Sequence, residues 1–172
     1  SCAGSCASCQ QIIFKENKGQ WENHILYKAE IKNGAIFFEK NCITFNLIDT
    51  RDILRIKGDH HKMENYKPTI DYTMHFHAFK MKFENAHSKA VATGSETIKE
   101  YFNYFIGNDK SKWASKVVAY KQLNYANLYN GIQFRVTSKD NTLKYVYELE
   151  KGIDGTDSGV RLNACYHCCG VK

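Results

Sequence analysis

The chain has 172 residues, 24 Lys and Arg against 18 Asp and Glu, and a formal net charge of +6. That length is about one domain's worth and allows a real core without help from disulfides. Mean hydropathy is −0.51 and no apolar run approaches the roughly 18 residues of a membrane-spanning helix, so membrane insertion is not expected. The basic residues stand singly among acidic ones, which argues against the dense stripe that nucleic acid needs.

Aromatic residues make up 13% of the chain and there is one proline, a composition that leans towards sheet rather than disorder. The opening "SCAGSCASCQ" lacks the basic region and apolar core of a secretory signal, as would any chain already processed. It holds Cys2, Cys6 and Cys9, and the closing "NACYHCCGVK" holds Cys165, Cys168 and Cys169. Only Cys42 lies between. The organisation read from this is a Cys-rich segment over 1–13, a β-rich domain over 14–162 and a second Cys-rich segment over 163–172.

Strand signals begin with "HILYKAEI", where Ile25, Tyr27, Ala29 and Ile31 alternate with Leu26, Lys28 and Glu30. "AIFFEKNCITFNL" reads as a hairpin, with Ile36 and Phe38 on one face, a turn at "EKN", and Ile43, Phe45 and Leu47 resuming that face. Cys42 then shares the other face with Thr44 and Asn46. From Asp49 to Lys67 the chain is polar and reads as a weak strand followed by a loop. In "YTMHFHAFKMKFE" the apolar parity flips near Ala78 and Phe79, which predicts a bulge or a crossing between sheets.

"TIKEYFNYF" has Thr97 and Glu100 in capping-box spacing and predicts a short helix. "NDKSKWAS" predicts one or two helical turns capped by Asn108 or Asp109. Strands return in "VVAYKQLNY", "IQFRVTS" and "TLKYVYELE". The last two form the clearest hairpin, Ile132, Phe134 and Val136 facing Leu143, Tyr145, Tyr147 and Leu149 across "SKDN". With no βαβ alternation, the expected fold is all-β with minor α: an antiparallel β-sandwich or β-roll with one or two short helices.

Four motifs in order, "FKENKGQW", "YFNYFIGNDKSKW", "VVAYKQLNYANLYNGIQF" and "LKYVYELEKG", give the chain a resemblance to a known family. It resembles an N-terminal domain of unknown function found in large surface proteins of Bacteroidota, ahead of SBBP-type β-propeller repeats or gliding-motility-associated sorting regions. The resemblance covers residues 14 to 162. It implies an exported module at the front of a longer secreted or cell-surface protein, a type IX secretion substrate, and it transfers no catalytic residues. Gln133 and Val146 stand where the family pattern has acidic residues, and Lys151-Gly152 replaces a proline-glycine turn.

The cysteine clusters lie outside that region. Cys6, Cys9, Cys165 and Cys168 form two CxxC pairs, the donor set of a structural zinc site if the chain ends converge. Disulfides are the favoured alternative, since Cys168 and Cys169 are adjacent and the whole domain separates the pairs. The Cys2, Cys6, Cys9 spacing also matches an iron–sulfur loop, but the chain is too short and too β-rich for that chemistry's barrel. His167 is a further possible ligand beside the second pair.

His75 and His77 have chelating i, i+2 spacing but read first as solvent-facing strand positions, and His60-His61 as a polar loop. Asp49, Asp52 and Asp59 fit no calcium loop, and no nucleophile elbow, HExxH or P-loop occurs. A paired-carboxylate glycosidase has nothing positive to support it. Exposed aromatics remain, and Tyr101, Tyr104, Trp113 and Tyr129 are the candidate binding residues for sugars or protein partners. The expected function is non-enzymatic and without a cofactor: structure, adhesion or assembly, with other domains of the same long chain or cell-surface proteins as partners. A carbohydrate-binding module and a cysteine-bound zinc domain are the alternatives.

Overall fold

A computed structural model describes residues 11–54 and 74–152, and the backbone of 162–167. Among the described residues ten strands run in order: β1 (Phe14–Glu16), β2 (Ile25–Ile31), β3 (Gly34–Glu39), β4 (Cys42–Ile48), β5 (Phe76–Phe83), β6 (Val91–Tyr104), β7 (Ala114–Tyr129), β8 (Ile132–Lys139), β9 (Thr142–Leu149) and β10 (Leu162–His167). All pairings are antiparallel and join one curled sheet in the order β10-β5-β4-β3-β2-β1-β7-β8-β9, with β6 branching from β7. The all-β class holds, and the single curled sheet corresponds to the roll. The strand β10 continues the sheet past residue 162.

The branch arises because β7 is sixteen residues long. One edge of β7 carries β6, while the other carries β1 at Ala119 and Tyr120 and β8 from Gln122 onwards. The β1–β5 arm and the β8–β9 arm therefore leave the same strand, and the curl folds their apolar faces together. Phe83 of β5 packs on Phe134 of β8 and Tyr125 of β7, at ring separations of 5.1 and 5.6 Å. Phe14, Phe38, Ile43, Leu123, Leu128 and Val136 are fully buried around them. Each such side chain contributes about 1.5–3 kcal/mol of burial energy.

Polar ties cross the same core. The Tyr125 hydroxyl donates to the Glu39 carbonyl at 3.0 Å, and the Tyr129 hydroxyl to that of Glu84 at 2.9 Å. Ser138 Oγ donates to the Ile12 carbonyl at 2.9 Å, and Ile12 itself is buried. The packed unit thus takes in residue 12.

The two predicted hairpins hold. Ile36 lies opposite Phe45 and Phe38 opposite Ile43, while Phe134 lies opposite Tyr147 and Val136 opposite Tyr145. Asp140 and Asn141 both have positive φ, 51° and 58°, the geometry of a two-residue type I′ turn. Between β2 and β3 the constraint is closer approach: Gly34 sits at φ 152°, and a Cβ there would lie 2.0 Å from the Asn46 carbonyl oxygen.

Three local expectations are corrected. First, β5 has neither bulge nor crossing, for its register with β4 runs unbroken from Phe76 to Lys82. The parity flip is real, but both faces are apolar: Phe79 stacks on Phe45 at 4.5 Å, while Phe76 lines a shallow groove with Phe37 and Ile48. Second, "TIKEYFNY", Thr97 to Tyr104, lies in β6 rather than in a helix. Its β-branched and aromatic side chains suit a strand, and pairing along β7 outweighs a weak capping signal. Third, residues 50–54 form a helical turn where a weak strand was expected. Asp49 caps it, accepting the Arg51 N–H at 2.9 Å on its side chain and the Ile53 N–H at 3.3 Å on its carbonyl. The rest of the polar stretch, with His60 and His61, lies outside the described residues.

Gly34→Ala is expected to cost about 3 kcal/mol or more and to lower Tm by roughly 10 °C, because the obstructing atom is backbone. Thermal unfolding by circular dichroism checks it, with Gly107→Ala, at an open turn, as the milder comparison.

Candidate binding surface

One end of the domain is organised by Asn17. Its side-chain amide lies within 3.2 Å of the carbonyls of Trp21, Glu22 and Ile25, and its oxygen accepts from the N–H groups of Gly19 and Trp21. Gln20, itself buried, donates to the Glu16 carbonyl and accepts from Lys18 N–H at 2.7 Å. Gly19 supplies the positive φ of 107° that closes the turn. The knot sets Trp21 against Tyr104 of β6, edge to face at 5.4 Å. Lys112 reaches Glu22 at 3.2 Å and Lys18 donates to the Lys116 carbonyl at 3.1 Å, so this loop props the β6–β7 end.

Beside it, Lys15 points to the face opposite Phe14 and is only 7% exposed. Its ammonium contacts Glu30 at 2.8 Å and lies 4.4 Å from the centre of the Phe102 ring. Burial lowers the Lys15 pKa, but the Glu30 carboxylate outweighs it and holds the ammonium above its ordinary 10.5. For Glu30, burial raises the carboxyl pKa, and the hydrogen bond and charge of Lys15, then Lys28, bring it below its ordinary 4.5. Lys28 also faces the Trp21 ring at 5.5 Å.

Beyond this base the chain turns through a 3-10 helix, Lys110–Lys112. Asp109 caps it as predicted, accepting from Ser111 N at 3.0 Å and Ser111 Oγ at 2.6 Å. Trp113 follows, its indole N–H donating to the Gly107 carbonyl at 3.3 Å, its ring on Phe105 at 5.7 Å, and the Lys110 ammonium 5.8 Å away. Phe105, Ile106 and Trp113 remain 58%, 79% and 40% exposed. Three large apolar side chains are thus held outward on a fixed turn.

The four aromatic candidates separate. Trp113 stands at this tip and Tyr101 is exposed on β6, while Tyr104 is half-buried against Trp21. Tyr129 faces the core at 7% exposure, its hydroxyl satisfied by Glu84, so it presents no open ring. Sequence reading missed Phe105, Ile106 and Trp21, although all three stand inside motifs that it singled out. Of the zinc candidates, Cys6, Cys9 and Cys168 lie outside the described residues. Cys165 has only its backbone position, opposite Lys80 in the β5–β10 pairing.

A family model for a domain of unknown function, DUF7948, matches residues 14–163, well over half of the chain. The chain belongs to this family. No curated protein and no solved structure matches it. Within the DUF7948 match, "FKENKGQW" and "YFNYFIGNDKSKW" meet at this one end of the sheet, where Trp21 of the first packs on Tyr104 of the second.

Two other polar groups lie elsewhere on the DUF7948 domain. Glu39 accepts from Thr44 at 2.7 Å and pairs with Lys80 at 3.2 Å. Beside it the buried Cys42 thiol is pushed up to about 11, first by burial and then by the Glu39 hydrogen bond. Asp52 accepts from the His75 backbone N–H at 2.7 Å, and its oxygen lies 2.9 Å from His75 Nδ1. Arg51 clamps Asp49 and holds its carboxyl down at about 2. Among the described residues, no three His, Cys, Asp or Glu side chains gather as a metal site.

Glu30→Gln is expected to destabilise by about 1–2 kcal/mol, allowing for the solvent around Glu30, because it strands the Lys15 ammonium. Lys15→Met, which keeps the stem under Phe102, costs less. The Glu30 contribution is present above 4.5 and lost as pH falls through its lower folded value, and that of Lys15 is present below 10.5 and lost above its folded value. The wild-type advantage over Glu30→Gln therefore narrows in urea titrations below pH 4.5. Cys42 is expected to alkylate about a hundredfold more slowly at pH 8 than an ordinary thiol, read by peptide mass mapping after iodoacetamide.

Proposed function

We propose that this DUF7948 domain is a non-enzymatic module of a larger exported cell-surface protein, serving in structure, adhesion or assembly. The observation that carries the reading is the tip formed by Phe105, Ile106 and Trp113. Exposed apolar side chains gathered on a built turn mark contact surfaces, whereas single exposed residues do not. Asp109, Gly107 and the Asn17 loop fix the tip before any partner arrives, which lowers the ordering cost of binding. The resemblance to N-terminal domains of Bacteroidota surface proteins supports an exported setting and type IX secretion. Other domains of the same long protein, or neighbouring surface proteins, are the partners this reading favours.

A second reading, carbohydrate binding, draws on the exposed Trp113 ring with Lys110 beside it. Sugars stack on such rings through their apolar faces while cations and amides take their hydroxyls.

The labelled chain is expected to bind intact cells or envelopes of its source. A Phe105→Ser, Ile106→Ser, Trp113→Ala variant keeps its Tm within a few degrees and binds at least tenfold more weakly. Binding that survives the triple change would move the contact away from the tip. Selective glycan-array binding lost with Trp113→Ala alone would favour the second reading.

A further inference from the structure

We infer that β9 is a self-complementary edge through which two copies of this domain pair, continuing the sheet from one copy into the other. Among the described residues, β9 has β8 on one side and no strand on the other. The phase of its hydrogen bonds follows from Glu150 N–H donating to the Gly131 carbonyl at 2.8 Å. Residues 131 and 150 continue the β8–β9 register, so the bonded positions alternate from there. The even-numbered residues of β9 bond to β8. Leu143, Tyr145, Tyr147 and Leu149 direct their N–H and C=O groups outward.

This edge is open in a way that β6 is not. Along β6 a positive φ at Glu96 and two register shifts break the line of donors and acceptors. The register of β9 runs unbroken from Thr142 to Leu149, with no proline and no positive φ. An unbroken edge of this kind templates another strand.

Two-fold symmetry and charge select one register. Antiparallel pairing about Val146 sets Tyr145 opposite Tyr147 of the second copy and Leu143 opposite Leu149. Every residue in those pairs has its backbone groups directed outward. The same register sets Lys144 opposite Glu148 at both ends, in the closely spaced non-bonded positions. A dyad at Lys144 or at Glu148 would oppose like charges, and one at Tyr145 or Tyr147 would set a charge opposite Val146. Tyr145 and Leu149, now 36% and 48% exposed, gain neighbours in the pair. The self-complementary contact is isologous and closes at two copies.

The test is sedimentation velocity of the full chain in reducing buffer, from low micromolar to submillimolar concentration. A monomer–dimer equilibrium is expected, with slowed amide exchange at Leu143, Tyr145 and Tyr147 in the dimer. Lys144→Glu and Glu148→Lys each place like charges opposite at both ends, and each is expected to raise Kd at least about tenfold. Mixed in equal amounts, the two variants supply one another's missing charge and form a heterodimer with wild-type Kd. Lys144→Glu leaves the Arg135–Glu148 ion pair of β8 and β9 intact, and melting curves are run to check that both variants fold. A wild type that stays monomeric throughout overturns the inference, as does a dimer indifferent to both charge changes.

Discussion

The hydrogen bond from the Tyr125 hydroxyl to the Glu39 carbonyl joins the two halves of this molecule where neither half could close alone. It runs from the middle of β7 to the end of β3, across a core in which Phe83, Tyr125 and Phe134 meet. Burial drives the Tyr125 pKa up, which favours the neutral hydroxyl that donates this bond. A buried phenol without that carbonyl would forfeit on the order of 1–3 kcal/mol. Its placement fixes how far the two arms can separate, and with it the curl of the sheet.

The Asn17 knot does for the end of the domain what Tyr125 does for its middle. A side chain with two N–H donors and one acceptor organises a loop that would otherwise expose five backbone groups. Trp21 then reaches Tyr104, and the tip beyond it inherits a firm base. The stem of Lys15 seals the opposite face beside Val117 and Ala119, both fully buried, while its charge is answered by Glu30 and the ring of Phe102. The binding reading rests on rigidity built from these polar contacts rather than on a pocket.

Alternation made the hairpins legible in the sequence, because Ile36, Phe38, Ile43 and Phe45, or Phe134 and Val136, each show one buried face. It misled where both faces carry apolar side chains, as at Phe76 and Phe79, since period-two reasoning assumes one polar side. The capping box at Thr97 and Glu100 is a local signal, and the partner that overrode it, β7, lies twenty-three residues further on where Thr97 pairs with Tyr120. Tyr129 looked like its exposed neighbours in the sequence because burial is a property of the strand's twist. The Phe105–Ile106 tip was hidden for a related reason: apolar residues beside aromatic ones read as core until the turn is seen.

The pairing of β10 with β5 has a kinetic consequence. Four strands, β6 to β9, intervene in sequence between these partners, so the contact closes a long loop and its entropy must be met late. Sheets built from such distant pairings fold on the millisecond-to-second scale, far more slowly than bundles of local contacts. Until residues 162–167 have left the ribosome, β5 stands as the border of an unfinished sheet. The strand β10 acts as a latch on folding, and its pairing with β5 sets the moment at which the sheet is complete.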